Sequence, residues 1–133
     1  MSENLDLVRS IYAEWERGDF SSTEWAHPEI EYVIADGPTP GRWSGLTGMM
    51  EGSRTFLSAW EDWRAKPEEY RELDGEHVLV LFDPSGHGKT SGVELQAARA
   101  KGASLLRICG GKVTALTWYF DRDRALAELG LKE

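Results

Sequence analysis

The stretch SLLRICGGKVTALTWYF, residues 104–120, decides the fold, because it holds two apolar runs on either side of a glycine pair. A Gly-Gly dipeptide between runs of strand-forming residues predicts a tight β-hairpin. Along the second run, Leu116, Trp118 and Phe120 share one face, because successive side chains of a strand point to opposite sides. The stretch therefore predicts two antiparallel strands, the second of which has one apolar, largely aromatic face.

Two apolar segments before this hairpin extend it to four strands. HVLVLF, residues 77–82, is apolar on both faces, as in a central strand that is covered on both sides. EEYREL, residues 68–73, precedes it across the turn DGE, and residues 83–92 predict a turn-rich connection to the next strand. Residues 93–108 follow, and Gly102 within them predicts a bulge or bend. We therefore expect a four-stranded antiparallel meander.

Three segments have the periodicity of a helix. Residues 3–17 carry apolar side chains at helical spacing and end at a glycine. Residues 44–67 place apolar side chains, Trp60 and Trp63 among them, on one side of a long helix. The last segment, residues 121–131, predicts a short helix that an aspartate caps and a glycine ends.

Two short elements lie between the first two helices. Residues 21–28 predict a capped helical turn that Pro28 closes, and residues 30–35 predict a strand. Helices laid on one face of an antiparallel sheet define an α+β architecture. We therefore expect one domain, residues 1–133, in which a cone-shaped, curved antiparallel sheet packs around helices and encloses a hollow.

The charge balance excludes several classes of partner. The chain has 15 basic and 23 acidic residues, a net charge of −8, which repels the phosphates of nucleic acids and an anionic membrane surface. No apolar run reaches the ~18 residues of a membrane span, and the first residues do not resemble a signal peptide. One cysteine, Cys109, excludes an internal disulfide and a cysteine-cluster metal site. We expect a cytoplasmic protein without nucleic-acid or membrane partners, metal or cofactor.

Several segments resemble those of one known family. ERGDF (16–20) resembles the end of the family's first helix. HPEIEYV (27–33) followed by GRWSGLTGMMEGSRTF (41–56) resembles its step from a strand to the long helix. Residues 88–131 resemble its closing strands with the ending Y-x-D-x-x-x-A-L. The chain is thereby similar to the SnoaL-like, ketosteroid-isomerase-like branch of the nuclear transport factor two-like superfamily. The resemblance implies the cone-shaped fold and a homodimer through the outer face of the sheet, which the two-sided apolar run 77–82 supports. It does not select a reaction, because the superfamily includes isomerases, dehydratases, cyclases, epoxide hydrolases and binding proteins.

Asp36 is the candidate general base. It follows a predicted strand in which it shares a face with Tyr32 and Ile34. Apolar surroundings raise the pKa of a carboxyl group and suit it to remove a proton next to a carbonyl. The resemblance adds that the general-base aspartate of ketosteroid isomerases lies nine residues before the Ser-Gly pair that opens the long helix, and Asp36 lies nine residues before Gly45. The alternative is that Asp36 only forms the turn ADGPTP.

Tyrosines are the candidate hydrogen-bond donors. The oxyanion-hole tyrosine of the isomerases aligns with Ile11, one residue before Tyr12, and their second, protonated aspartate aligns with Ser104. The resemblance thus implies an incomplete acid set, in which Tyr12 or Tyr32 donates a hydrogen bond to a substrate carbonyl. Dehydratases of the superfamily use paired histidines, and here His77 lies in a predicted strand that could turn it towards the hollow. The alternative is a structural histidine.

Aromatic residues predict a pocket for a small apolar or aromatic ligand. The register of the family turns the aromatic face of the last strand into the hollow. We expect the pocket to contain Trp15, Phe56, Trp60, His77, Ser104, Leu116, Trp118 and Phe120. The alternative is that these side chains only fill a core.

Three functions stay open from the sequence. The first is a cofactor-free isomerase, cyclase or lyase that acts on an apolar carbonyl compound, with Asp36 as general base. The second is a non-catalytic binding or carrier protein for an apolar metabolite. The third is a structural or interaction module with a packed hollow. The enzyme requires that Asp36→Asn abolishes turnover. The binding protein predicts that ligand binding survives this substitution. The structural module predicts that no ligand-sized cavity exists.

Overall fold

The computed structural model describes residues 3–17, 23–35, 40–58, 60–88 and 101–131. Within these ranges the elements are, in chain order, α1 (Glu3–Glu16), β1 (Ala26–Ile34), β2 (Gly41–Ser44), α2 (Gly45–Leu57), β3 (Trp60–Glu72), β4 (His77–Gly88), β5 (Gly102–Cys109), β6 (Lys112–Tyr119) and α3 (Arg122–Leu129). None of the helices within these ranges combines the length and the hydrophobicity that crossing a lipid bilayer demands.

The strands form one curved, unclosed sheet in the order β2-β1-β6-β5-β4-β3. β3, β4, β5 and β6 pair antiparallel with their neighbours in sequence, which confirms the predicted meander. β1 lies antiparallel to β2 but parallel to β6. The α+β fold is therefore confirmed, with a mixed sheet instead of a purely antiparallel one, because the chain passes through β2 and α2 before it enters β3 at the opposite edge.

β1 begins earlier than the sequence indicated. Of the helical turn predicted at residues 21–28, the structure describes residues 23–28. The backbone N–H of Ala26 donates to the carbonyl of Thr23 at 3.0 Å, so a turn is present, but the strand begins at Ala26 and includes Pro28, so Pro28 does not close a helical element. The pairing of β1 with β6 is irregular between Ala26 and Glu31. Proline lacks an N–H group, and a strand tolerates it where the ladder has no hydrogen bond to lose. The short strand β2 was not predicted either.

The long helix is shorter than predicted. α2 ends at Leu57, and Trp60 and Trp63 belong to β3. The apolar spacing at this point fits a helix as well as a strand, and pairing with β4 stabilises the extended conformation. β4 itself runs to Gly88, through part of the segment that was predicted as a connection.

Different helices cover the two faces of the sheet. We call the face that α1 and α2 cover the inner face, and the face that α3 covers the outer face. On the outer face, Ala125 and Leu126 of α3 belong to one cluster with Leu79 and Leu81 of β4. One chain therefore accounts for the two-sided apolar pattern of β4, and the homodimer stays a prediction.

α3 has both of the caps that the sequence predicted. The Asp121 side chain accepts a hydrogen bond of 3.2 Å from the backbone N–H of Arg124. The helix ends at Gly130, which has a φ of 69°. That left-handed conformation is open to glycine without strain.

Gly102 marks a site of close packing. It begins β5 directly opposite Phe82, and β5 pairs with β4 from Gly102 onward without a register shift, which excludes the bulge of the predicted bulge or bend. Residues 93–100 of the predicted segment lie outside the described residues. A Cβ atom at Gly102 would lie 2.6 Å from Cε1 of Phe82 and 2.9 Å from the carbonyl oxygen of Tyr119. The aromatic ring covers bare backbone on the neighbouring strand, as aromatic residues commonly do opposite glycine.

Candidate functional site

A cavity of about 550 Å³ lies between the inner face of the sheet and α2. Its lining comes from the end of α1, from α2, and from β1, β3 and β6 with the residues that flank them. The lining residues are Trp15, Thr23, Trp25, Tyr32, Ile34, Met49, Met50, Ser53, Arg54, Phe56, Leu57, Ser58, Trp63, Leu116, Trp118 and Phe120.

The parallel strands β1 and β6 contribute adjacent pairs of side chains to this lining. Tyr32 pairs with Leu116, and Ile34 pairs with Trp118. Residues two apart on a strand share a face, so all four side chains lie on the inner face. Alternation along each strand predicted which side chains share a face, and the pairing of β1 with β6 places the inner-facing side chains of the two strands side by side.

Ring contacts order the aromatic part of the lining. The ring centroids of Trp15 and Trp118 are 5.2 Å apart. The rings of Phe56 and Phe120 stack at 5.0 Å, and the ring of Trp63 meets that of Phe56 edge-on at 4.8 Å. Aromatic pairs at such distances and angles attract one another beyond simple burial. These contacts hold the aromatic side chains of the lining against one another.

Tyr32 is a buried phenol in the cavity lining. Its side chain is 5% exposed, and its oxygen accepts a hydrogen bond of 3.2 Å from the hydroxyl of Ser53 on α2. Burial raises the pKa of Tyr32 to about 12, although the Ser53 hydroxyl and the neighbouring Trp118 indole act in the opposite direction. The phenol is therefore protonated at neutral pH, where it can donate a hydrogen bond but cannot act as a base.

Tyr12 and Ser104 lie together, but outside the cavity lining. The Tyr12 hydroxyl and the Ser104 hydroxyl are 2.5 Å apart, and both residues are fully buried. Burial raises the pKa of Tyr12, which the hydrogen bond to Ser104 only partly offsets. The Tyr12 ring packs against Trp15 and Trp118, which do line the cavity. The expected carbonyl donor Tyr12 and the expected pocket residue Ser104 thus bond to each other behind the cavity lining.

The remaining predicted site residues are not in the lining. Asp36 lies outside the described residues, as does the side chain of Trp60. His77 is on the same side of β4 as Leu79, which packs on the outer face. The His77 ring is 3.0 Å from the Asp74 carboxylate, so the prediction that His77 faces the hollow is wrong.

Some lining residues were not predicted from the sequence. Trp25 falls in the segment that was predicted as a helical turn, and Trp63 was placed on the long helix. Ser53 and Arg54 lie on the cavity side of α2 with Met49. Ser53 and Arg54 lie at helical spacing from the apolar residues of α2, and this spacing could have predicted that they face the cavity.

The described lining contains few ionisable groups. Arg54 is its one charged side chain, and it contains no carboxylate and no histidine. In the described ranges, no group of three or more His, Cys, Asp and Glu side chains is arranged to hold a metal ion. The chemistry that these residues offer is hydrogen-bond donation inside an apolar enclosure.

Comparison with known proteins identifies a family and a fold. Residues 8–116 match the family model of the SnoaL-like domain, and no curated protein matches the chain. A protein of unknown function from Burkholderia pseudomallei K96243, described as NTF2-like, is 20% identical, with a TM-score of 0.77 over 96% of this chain and 97% of that one.

Two further solved structures are similar. TerC, co-crystallised with polyporic acid, is 22% identical, with a TM-score of 0.74 over 96% of this chain and 98% of that one. A putative SnoaL-like polyketide cyclase from Jannaschia sp. CCS1 is 13% identical, with a TM-score of 0.71 over 88% and 84%. At these identities the structures show the shared fold.

Proposed function

Because this chain belongs to the SnoaL-like domain family, we propose that it binds a small, flat, apolar carbonyl compound and acts on it as a cofactor-free isomerase, cyclase or lyase. The observation that carries the proposal is the cavity of about 550 Å³ with its aromatic walls and one buried phenol. Ligand cavities commonly measure about 300–1,000 Å³ and combine apolar walls with a few polar groups. A module with a packed hollow would have no such space.

Tyr32 is the proposed donor to the substrate carbonyl. Its oxygen already receives the hydrogen of Ser53, so its own hydrogen is the one to be donated. Burial holds the phenol in its protonated form. A donor fixed in an apolar enclosure stabilises the negative charge that develops on a carbonyl oxygen during enolisation. Tyr12 is a less suitable donor than Tyr32, because it is fully buried outside the cavity lining.

Asp36 is the proposed general base. Tyr32 and Ile34, which share its predicted face, both line the cavity. A carboxylate at the edge of an apolar cavity can remove a proton next to a carbonyl that a donor polarises. The base and the donor would then act on neighbouring atoms of the substrate, with the electron pair of the C–H bond moving into the enolate.

Non-catalytic binding is the second candidate function. It is favoured by the lining itself, which contains no carboxylate or histidine among the residues that the structure describes. Catalysis therefore depends on Asp36, whereas binding depends only on the cavity. The structural relatives include a protein crystallised with polyporic acid and a putative polyketide cyclase, which agrees with either function.

Proton exchange into a ketone separates the two functions. 2-Tetralone is a bicyclic ketone with exchangeable protons next to its carbonyl, and NMR in D₂O follows their replacement by deuterium. We expect the wild-type protein to accelerate this exchange and Asp36→Asn to lose the acceleration, while Asp6→Asn, which changes an exposed carboxylate on α1, keeps it. Binding without accelerated exchange in the wild-type protein would establish the carrier function instead.

A further inference from the structure

α2 and the residue that caps it contribute two rows of side chains to the cavity lining. The inner row is buried or half-buried and consists of Met49, Ser53, Phe56 and Leu57. The outer row consists of Met50, Arg54 and the C-cap residue Ser58, and all three are exposed. Residues four apart on a helix are neighbours on one face, so the outer row is continuous. The cavity therefore opens to solvent along this row, which we call the mouth.

Arg54 places a positive charge in the middle of the mouth. Several other arginines of the described residues form ion pairs with glutamates: Arg71, Arg107, Arg122 and Arg124. Arg54 forms no ion pair within the part of the chain that the structure describes. The one acidic residue of α2, Glu51, is not in the cavity lining. The guanidinium group is therefore available to an anion that reaches the mouth.

From the position of this charge, we infer that Arg54 selects ligands whose apolar rings enter the cavity and whose carboxylate group stays at the mouth. The inference rests on the proposed function and adds an anionic group to its ligand. A planar guanidinium group can donate two parallel hydrogen bonds to a carboxylate. Tyr32 is buried and Arg54 is exposed, so such a ligand would extend from the phenol inside to the guanidinium outside. The net charge of −8 repels a phosphate dianion more strongly than a carboxylate.

A purely structural role of Arg54 makes a different prediction. Arg54 lies in the last turn of α2, where a positive charge stabilises a helix through the dipole of its C-terminal end. That role affects stability and gives no preference between a charged and a neutral ligand. The net charge of the whole protein would even disfavour the anion. A preference for a carboxylate therefore requires a local cation, and Arg54 is the one cation in the described lining.

Two ligands of nearly the same shape test the inference. 2-Naphthaleneacetate and 2-naphthaleneacetamide share the ring system and the length of the side chain, but only the first is charged at neutral pH. In calorimetric titrations at low salt, the wild-type protein should bind the acetate about three- to fivefold more tightly than the acetamide, which is the effect of an ion pair at an exposed site. High salt should reduce this preference, because it screens exposed charges.

Substitutions of two arginines assign the preference to one position. Arg54→Gln should abolish the preference for the acetate or reverse it. Arg54→Lys should keep part of it, because the charge remains and the paired hydrogen bonds are lost. The control is Arg42→Gln, since Arg42 of β2 is likewise exposed and lies outside the cavity lining. Arg42→Gln changes the net charge of the protein by the same amount as Arg54→Gln and should keep the preference.

The outcomes separate this inference from the proposed function. If the wild-type protein binds the acetamide as tightly as the acetate, or if Arg54→Gln and Arg42→Gln reduce the preference equally, the role of Arg54 is refuted while the cavity remains a binding site. Tighter binding of 2-naphthyl phosphate than of the acetate would overturn the assignment of a carboxylate. If neither naphthalene compound binds, the inference fails, and titration with the uncharged 2-tetralone then decides the proposed function separately.

Discussion

Replacing Gly52 by alanine should destabilise the protein, although alanine is the better helix former. Gly52 lies in the middle of α2, where the Trp43 side chain of β2 crosses the helix. A Cβ atom at Gly52 would lie 2.7 Å from Cδ2 and 2.8 Å from Cε3 of Trp43, and 3.0 Å from Cδ2 of Tyr32. Carbon atoms normally approach to about 3.5–4.0 Å. Two aromatic rings would therefore have to move for one methyl group.

Gly48, one helical turn earlier, is the matched control. A Cβ atom there would lie 3.3 Å from Cβ of Trp43 and farther from its other atoms, so only a small shift is needed. Glycine to alanine in a helix gains up to about 1 kcal/mol from propensity, and overpacking a core costs about 1–3 kcal/mol. We expect Gly52→Ala to lower the free energy of unfolding by about 1 kcal/mol, because the overpacking cost exceeds the gain in helix propensity. Gly48→Ala should leave the free energy of unfolding unchanged or raise it, because its Cβ causes little overpacking.

Urea unfolding of the two variants and the wild-type protein measures this difference. Because the Gly52 Cβ also meets Tyr32, Gly52→Ala should further weaken the binding of 2-tetralone, and Gly48→Ala should not. Equal stability of the two variants, or a Gly52→Ala protein more stable than wild type, would refute the close packing of Trp43 and Tyr32 on this helix.

Three further predictions concern the core and the buried phenols. Gly102→Ala should destabilise the protein by about 2 kcal/mol in urea, because its Cβ meets the ring of Phe82; unchanged stability would contradict that contact. Tyr12→Phe should cost about 1–3 kcal/mol by leaving the Ser104 hydroxyl buried without its partner, and adding Ser104→Ala should restore part of it; a double variant less stable than Tyr12→Phe would contradict the pairing. For Tyr32, the folded pKa of about 12 lies above the ordinary value of 10.0. The contribution of Tyr32 to folding stability is therefore complete below pH 10 and is lost as the pH rises towards 12. The difference between the 295 nm absorbance titrations of the wild-type protein and Tyr32→Phe should show one phenol that titrates near pH 12; titration of that phenol near pH 10 would contradict its burial.

The sequence predicted elements where alternation or helical spacing was unambiguous. Leu116, Trp118 and Phe120 alternate with other residues along β6, and the structure places all three in the cavity lining. At the end of α2 the apolar spacing fitted both a helix and a strand, and the pairing of β3 with β4 decided the outcome. Such pairing joins residues far apart in sequence, so a local pattern does not contain it.

The site was predictable to a similar extent. Tyr32 was singled out as a donor, but its hydrogen bond to Ser53 depends on the packing of α2 over β1. The contact between Tyr12 and Ser104 spans 92 residues, and only the family resemblance indicated that the two positions are related.

The central claim is that a small carbonyl compound occupies the cavity, and calorimetric titration with 2-tetralone tests it most directly. Leu57→Trp places a large side chain in the cavity lining, and Leu129→Trp makes the same change at a half-buried leucine of α3 on the outer face. We expect the wild-type protein and Leu129→Trp to bind 2-tetralone, and Leu57→Trp to bind it at least about tenfold more weakly, a loss of about 1.4 kcal/mol. Absence of binding by the wild-type protein, or equal binding by Leu57→Trp, would contradict the account.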